Sequence, residues 1–220
     1  TLGMIAVGTG NDWSRMFDIP KDYVGAVKVL ADENTIVQDV GKVKYHIADR
    51  KRSRFFVNIA GMGFDAVVLK KSNDQKDRGI SGKLVYFLNL FTSLFNYKHI
   101  NSSISVDENI ITDSIFSMNV GICKYSGGGM LQVPNAIADD GLFDMTVIKK
   151  MGRFEVIRNI SKLYDGTLID HPKVDSFRGK TITIDSNERL KLEVDGESLG
   201  HAPFEFNILP QSINIVVGKE

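Results

Sequence analysis

The spacing of apolar residues divides the chain into a short first part and a longer part rich in β-strands. Residues 2–7 form an apolar run typical of a buried strand, and residues 22–31 carry apolar side chains at helical spacing. From Thr35 onward, short runs rich in Val, Ile, Tyr and Phe indicate strands. These runs cover residues 36–47, 53–59, 103–106, 110–122, 142–149, 180–184, 189–194, 203–209 and 212–217.

Three helices are predicted between the strands, at residues 65–71, 82–95 and 153–164. Many short strands separated by turn signals favour an antiparallel arrangement. The sequence therefore predicts an α+β fold that is mainly β. Its parts are a remnant of an α/β nucleotide-binding domain, residues 1–38, and an antiparallel β-sandwich or open barrel with inserted helices, residues 39–220.

One predicted strand shows its two faces clearly. Leu190, Leu192 and Val194 alternate with Lys191, Glu193 and Asp195, so one face should lie in a core and the polar residues on the other face. Phe204, Phe206 and Ile208 alternate in the same way in its expected partner strand.

Composition excludes several classes of protein. The 27 basic and 27 acidic residues give a formal net charge of zero, which argues against broad nucleic-acid binding. Cys123 is the single cysteine of the 220 residues, so no internal disulfide forms and the reducing cytoplasm is the expected location. The longest apolar run, residues 84–95, is shorter than the ~20 residues of a membrane span.

The first candidate site is the turn Gly-Thr-Gly-Asn-Asp-Trp-Ser-Arg at residues 8–15. A glycine-rich turn before a helix allows close approach of a phosphate. Thr9 offers a hydroxyl and an amide, and Asn11 is expected to cap the helix. Asp12 suits the positive end of the helix and points to Mg²⁺ or a hydroxyl nearby, and Arg15 can neutralise phosphate charge. A helix cap followed by a solvated arginine explains the same residues.

Two further segments combine turns with polar residues. Residues 58–66 hold two glycines that are expected after a strand and before a helix, and a plain corner capped by Asp65 is the alternative. In residues 134–144, Asp139 and Asp140 precede Gly141, an arrangement that suits a hard cation or an ordinary loop. The three glycines of 127–129 are interpreted as a flexible loop.

The fourth segment, Asp195-Gly196-Glu197, lies between two predicted strands. Asp-Gly is a frequent hairpin turn, which explains the segment without any chemistry. A carboxylate held at such a turn is also suited to accept a proton from an attacking hydroxyl.

These four segments occur in an order that resembles the diacylglycerol kinase catalytic family, including bacterial soluble diacylglycerol kinases. The resemblance implies that Glu197 is the general base within a catalytic Asp195-Gly196-Glu197 signature. It also implies that the turn at residues 8–15 binds ATP and its Mg²⁺, and that the Glu197 carboxylate accepts the proton of a bound acceptor. The nucleotide-binding residues would be Thr9, Asn11, Asp12 and Arg15. The ligands of a structural Mg²⁺ would be Asp140, or in its place Asp139, with carbonyls of Ile137 and Leu142.

The resemblance further implies an ATP- and Mg²⁺-dependent lipid kinase that meets its lipid substrate at the inner face of the membrane without spanning it. A homodimer is compatible with the sequence. Because the family's upstream Gly-Gly-Asp-Gly-Thr loop is absent from these 220 residues, a C-terminal portion that is inactive alone is expected. Two alternatives remain open: a non-catalytic β-sandwich module that holds a lipid or a partner, and a kinase for NAD or a sugar.

Overall fold

The computed structural model describes residues 1–8, 10–80 and 82–218, without the side chains at positions 83, 84, 86 and 87. Within these residues the helices are α1 Asp12–Met16, α2 Tyr23–Asp32, α3 Phe64–Lys76, α4 Lys83–Asn96, α5 Arg153–Asn159 and α6 Lys162–Asp165, with a 3₁₀ turn at Thr167–Asp170. The strands are β1 Thr35–Ile47, β2 Arg50–Phe56, β3 Ile59–Gly63, β4 Ile100–Val106, β5 Asn109–Gly121, β6 Tyr125–Ser126, β7 Met130–Leu131, β8 Phe143–Lys149, β9 Val174–Gly179, β10 Thr181–Ser186, β11 Lys191–Val194 and β12 Glu197–Val216.

An antiparallel sheet that closes on itself forms the centre of the molecule. Its strands follow the order β10-β4-β5-β3-β11-β12-β1-β2, and β10 also pairs with β12, which completes a ring. Strands β8 and β9 extend the sheet from β5. Large buried side chains fill the interior, among them Phe56, Phe143, Phe204 and Phe206. The predicted mainly β fold with inserted helices is confirmed.

The helices α3, α4 and α5 contribute to a second core outside the ring. Phe64 and Val68 of α3 and Leu90 and Leu94 of α4 are buried with Phe116 of β5. β5 contributes to both cores, since Ile115 and Met118 lie in the ring and a register irregularity between Ile115 and Ser117 turns Phe116 to the outside. This packing fixes the start of α3 next to the strands that carry the candidate site.

Several expected elements differ from the structure. Residues 2–7 make only one bridge, from Leu2 to Ile215, and Val7 is 79% exposed, so no buried strand forms there. The runs 203–209 and 212–217 belong to one strand, β12, and β9 was not predicted. β1 continues across the predicted domain boundary between residues 38 and 39, and the division into two domains stays a prediction.

Candidate functional site

The N-terminal end of α1 contacts the glycine loop between β6 and β7. The Asp12 carboxylate accepts hydrogen bonds from the backbone N–H of Gly128 at 2.9 Å and of Gly129 at 2.6 Å. The Arg15 guanidinium lies against Gly129 and 5.8 Å from the centre of the Tyr125 ring. The loop at 127–129 therefore contacts α1 through both of these side chains, and its interpretation as a flexible loop stays a prediction.

Asn11 does not cap α1 with its side chain, contrary to expectation. Its backbone is left-handed, with φ of 52°, which turns the side chain back toward Gly8. The Asn11 amide accepts from the Gly8 N–H at 3.1 Å and donates to the Gly8 carbonyl at 2.8 Å. Asn11 thus braces the turn before the helix. Thr9, the remaining nucleotide-binding candidate, lies outside the described residues.

The Asp195-Gly196 turn joins β11 to β12 as expected for a hairpin. Both residues have positive φ, 49° and 84°, the backbone geometry that Asp-Gly favours in two-residue hairpins. The Asp195 carboxylate accepts backbone hydrogen bonds from Val57 at 3.0 Å, Asn58 at 3.1 Å and Ile59 at 3.2 Å. Burial raises the pKa of Asp195, and these donors oppose that rise. The turn is therefore anchored to the start of β3.

Asn58 connects this turn to β6, the strand that leads into the glycine loop. Its amide donates to the carbonyl of Tyr125 at 3.1 Å, while its backbone N–H binds Asp195. Asp12, the glycine loop, Asn58 and Asp195 consequently form a continuous chain of contacts. The structure thereby joins three sequence segments that the motif analysis treated separately.

Glu193 lies beneath the turn and is buried, although the alternating pattern placed it on the polar face. It does lie on that face, opposite Leu192 and Val194 of the ring core, and it is buried because α3 packs over this side of β11. The Glu193 carboxylate accepts from the Gly196 N–H at 3.2 Å and lies against Gly61, where no larger residue fits without movement. Burial, with the nearby Asp65 charge, raises the pKa of Glu193 to about 8.

Asp65 is a second carboxylate in this region and is partly buried. It accepts hydrogen bonds from the Ser117 hydroxyl at 2.6 Å and the Asn119 amide at 2.9 Å, and burial raises its pKa. It does not form the expected corner cap, since Gly63 is the N-cap of α3 and the Asp65 carboxylate binds Ser117 and Asn119 instead. Gly61 and Gly63 lie within β3 rather than after it. The charges of Asp65, Asp195 and Asp12 all raise the pKa of Glu193, so these acidic side chains lie in one region.

Glu197 opens β12 and pairs with Val194 across the hairpin. Its side chain is exposed, in contrast to Glu193. The amide of Asn73, in α3, donates to the Gly196 carbonyl at 3.2 Å and supports the turn from the helix side. The Glu197 carboxylate therefore projects from a turn that is fixed on several sides.

The Asp139-Asp140-Gly141 segment lies at a different place. Asp140 forms an ion pair with Arg178 and accepts the Leu142 N–H at 3.0 Å, whereas Asp139 and Ile137 are exposed. Among residues 1–8, 10–80 and 82–218, no cluster of three or more His, Cys, Asp or Glu side chains is arranged to hold a metal. An ion at Asp140 would share that carboxylate with Arg178.

Two polar residues of β1 escaped the sequence analysis. Gln38 and Asp39 are fully buried. The Gln38 side chain accepts from the Trp13 indole at 3.1 Å, and Asp39 accepts from the N–H groups of Gly141 and Gln211, both at 2.7 Å. They tie α1 and the Asp-Asp-Gly segment to the barrel. The sequence signal that could have identified them is the pair of adjacent polar residues within an apolar run that predicts a strand.

An apolar cavity of about 50 Å³ lies beside Asp65, between α3, α5 and β5. Asp65, Ser117, Gln132 and Asn159 supply its polar lining. The apolar lining consists of Phe64, Val68, Leu90, Phe116, Met130, Ile148, Met151, Val156, Ile160, Leu163 and Leu168. Within the described residues, no helix has both the length and the apolar character needed to cross a membrane.

Comparison with known proteins places these features in context. Residues 58–217 match the family described as the YegS C-terminal NAD kinase beta sandwich-like domain, and residues 1–43 match the diacylglycerol kinase catalytic domain. A diacylglycerol kinase of Staphylococcus epidermidis is 31% identical over 219 residues, which are 100% of this chain and 66% of that protein. A diacylglycerol kinase of Staphylococcus aureus is 29% identical over 97% of this chain and 65% of its own length.

Solved structures agree with this comparison. A Bacillus anthracis protein, provisionally described as a diacylglycerol kinase, superimposes with a TM-score of 0.77 at 26% identity over 99% of this chain and 70% of its own. A second structure, of a diacylglycerol kinase from the same organism, gives a TM-score of 0.69 at 22% identity, covering 99% of this chain and 67% of its own. The chain thus spans about two thirds of the length of the proteins it matches.

Proposed function

The chain belongs to the diacylglycerol kinase family, in which it carries the YegS-type C-terminal domain, and from that premise we propose that it works within an ATP- and Mg²⁺-dependent lipid kinase. The observation that supports this best is the continuous set of contacts from Asp12 through the glycine loop and Asn58 to Asp195. It relates the expected nucleotide turn to the expected catalytic turn.

In this proposal Glu197 accepts the proton of the lipid hydroxyl as that oxygen attacks the terminal phosphate. A carboxylate is suited to this role because an alcohol becomes an effective nucleophile only as its proton leaves. The exposed Glu197 side chain can reach an acceptor, whereas the oxygens of Asp195 accept three backbone amides. Asp195 then acts mainly by holding Glu197 in position.

The nucleotide residues would contribute charge and orientation. Mg²⁺, when bound with ATP, would neutralise part of the phosphate charge. Arg15 is exposed and has no carboxylate partner among the described residues, so it is free to meet a phosphate. Each Asp12 oxygen accepts one backbone N–H, from Gly128 or Gly129, and keeps a second lone pair with which it can meet the metal or an acceptor hydroxyl.

The apolar cavity beside Asp65 is the proposed place for part of the acceptor's acyl chain. Its 50 Å³ accommodates only a short stretch of methylene groups, so a longer chain requires α3 and α5 to move apart. The polar end at Asp65 and Ser117 lies next to the region of Glu193 and the catalytic turn. A lipid hydroxyl would enter from this end.

The Glu197→Gln substitution in the longer natural protein tests the function. With ATP, Mg²⁺ and diacylglycerol in mixed micelles, we expect kcat to fall at least 100-fold, on the order of the contribution of a general base. ATP affinity should be unchanged. Glu108→Gln, on the exposed β4–β5 turn, is the matched control and should retain activity. Full activity of Glu197→Gln would remove Glu197 from this role, and an unmodified protein without kinase activity on any lipid would exclude the function.

A further inference from the structure

A second cleft, of about 520 Å³, is lined by Ser114 and Phe116 from the middle of β5. It is formed by the end of α4, the segment leading into β4, β5 and the segment before α5. The residues that line it are Leu94, Tyr97, Lys98, His99, Asn101, Ser114, Phe116, Lys150, Met151, Gly152 and Arg153. Every charged side chain in this lining is basic, and Asp and Glu are absent from it.

Four of the described acidic residues lie near the cleft. The charges of Asp65 and Glu188 help burial to raise the pKa of Tyr97 in its lining, and the other two form hydrogen bonds outside it. The Asp113 carboxylate accepts the N–H of Ser114 at 2.7 Å. Glu155 accepts from Lys173 at 2.7 Å and from the Gly152 N–H at 3.1 Å. Lys98, Lys150 and Arg153 form no ion pair with any described carboxylate. Three neighbouring cations without an ion-pair partner favour an anionic ligand.

Exposed aromatic residues flank these cations. The Arg153 guanidinium lies 5.7 Å from the centre of the Phe95 ring. Phe95 is 48% exposed and Phe154 is 80% exposed. Leu94, Phe116 and Met151 add apolar surface inside the cleft. Cationic groups beside exposed aromatic rings are suited to the boundary between lipid headgroups and acyl chains.

We propose that this cleft binds the phosphate group of an anionic phospholipid headgroup through Lys98, Lys150 and Arg153, with Phe95 and Phe154 in contact with the apolar part of the lipid. The cleft adjoins the proposed acceptor cavity, because Phe116 and Met151 line both, but Lys98, Lys150 and Arg153 line the cleft alone. It does not depend on phosphoryl transfer, so the protein binds such lipids whether or not it acts as a kinase.

Vesicle binding of the purified protein tests the proposal. We expect sedimentation with vesicles of phosphatidylglycerol and phosphatidylcholine and little with phosphatidylcholine alone. The triple variant Lys98→Gln, Lys150→Gln, Arg153→Gln should bind the anionic vesicles at least about tenfold more weakly, because each basic residue at a membrane surface contributes to affinity. The matched control is Lys28→Gln, Arg189→Gln, Lys191→Gln, which removes the same charge from exposed positions elsewhere and should bind within twofold of the unmodified protein.

Four results would overturn the proposal. They are equal weakening of both triple variants, unchanged binding of the cleft variant, equally tight binding to purely neutral vesicles, and binding of soluble glycerol phosphate as tight as that of the vesicles. The last result would assign the cleft to free phosphate esters. Absence of competition by millimolar glycerol phosphate would instead support the lipid.

A measurement on the unmodified protein makes the test independent of folding of the variants. Lys98 and Lys150 should be protected from acetylation by anionic vesicles at least fivefold, as read by mass spectrometry. Lys28, which is exposed on α2, should be modified at the same rate with and without vesicles. Protection that is equal at all three lysines, or absent at Lys98 and Lys150, would contradict the proposed site.

Discussion

The carboxylate of Asp12 and the backbone N–H of Gly129 are 2.6 Å apart, although 117 positions separate them in sequence. Together with the bond to Gly128, this contact holds the glycine loop against α1. Two hydrogen bonds to a carboxylate stabilise a loop by about 1.5–3 kcal/mol each when the charge assists them, and less where water competes. The loop therefore depends on α1 for its position.

Substitution of Asp12 by Ala should release the glycine loop. Loss of both acceptors is expected to speed amide hydrogen exchange at Gly128 and Gly129 at least about tenfold, equivalent to about 1.4 kcal/mol of lost protection. Asp139→Ala is the control, since the side chain of Asp139 makes no hydrogen bond among the described residues. Unchanged exchange in the Asp12 variant would show that the loop is held by Arg15 or by its own backbone.

The Asp195→Asn variant should lower the free energy of unfolding by about 2–3 kcal/mol. An amide offers a single acceptor oxygen, so at least one of the bonds to Val57, Asn58 and Ile59 is lost, and the new N–H₂ group faces donors. Urea unfolding monitored by circular dichroism measures the difference. A variant as stable as the unmodified protein would mean that these bonds contribute little beyond what water provides.

The sequence predicted the barrel because alternation and turn chemistry are local. Leu192 and Val194 are buried as their pattern indicated, and the Asp195-Gly196 hairpin has the expected turn. The prediction of a buried strand at residues 2–7 was wrong, because an apolar run does not reveal which strands lie next to it. Only Ile215 of β12 pairs with this segment, at Leu2.

The polar contacts of the site join residues that are distant in sequence, so the sequence analysis could not predict them. The bond from Asn58 to Tyr125 and those from Asp195 to residues 57–59 join segments brought together only by the folded barrel. Glu193 lies on the face that the alternation predicted, opposite Leu192 and Val194, but α3 covers that face and buries the carboxylate, which the pattern of one strand does not reveal. Its role under the turn follows from the pairing of β11, which the alternating pattern alone does not specify.

The free energy of unfolding of the unmodified protein should fall as pH rises, because Glu193 ionises, and Glu193→Gln should abolish this part of the fall. The folded-state pKa of about 8 exceeds the ordinary value of 4.5, so the folded state retains a proton that the unfolded state releases between these values. Stability then falls by up to about 1.4 kcal/mol per pH unit across that window. Glutamine keeps the acceptor for Gly196 and does not ionise.

Urea unfolding at pH 5 and pH 8 measures this effect. The stability of Glu193→Gln relative to the unmodified protein should rise by about 2 kcal/mol or more between the two pH values. Glu108→Gln, which changes an exposed carboxylate, should show no comparable rise. An identical pH dependence in the Glu193 variant and the unmodified protein would mean that Glu193 is ionised in the folded state.

Magnesium should distinguish Asp140 from Asp139 as a ligand. Asp140 pairs with Arg178, and Asp144 beside them has a pKa raised by burial to about 6, with Arg178 opposing the rise. If Asp140 binds the ion, millimolar Mg²⁺ raises the Tm of the unmodified protein and of Asp139→Asn, but not of Asp140→Asn. Arg178→Gln should then strengthen the Mg²⁺ response, because the arginine competes for the same carboxylate. A response lost in Asp139→Asn and kept in Asp140→Asn would assign the ion to Asp139, and no response in the unmodified protein would exclude a metal site in this segment.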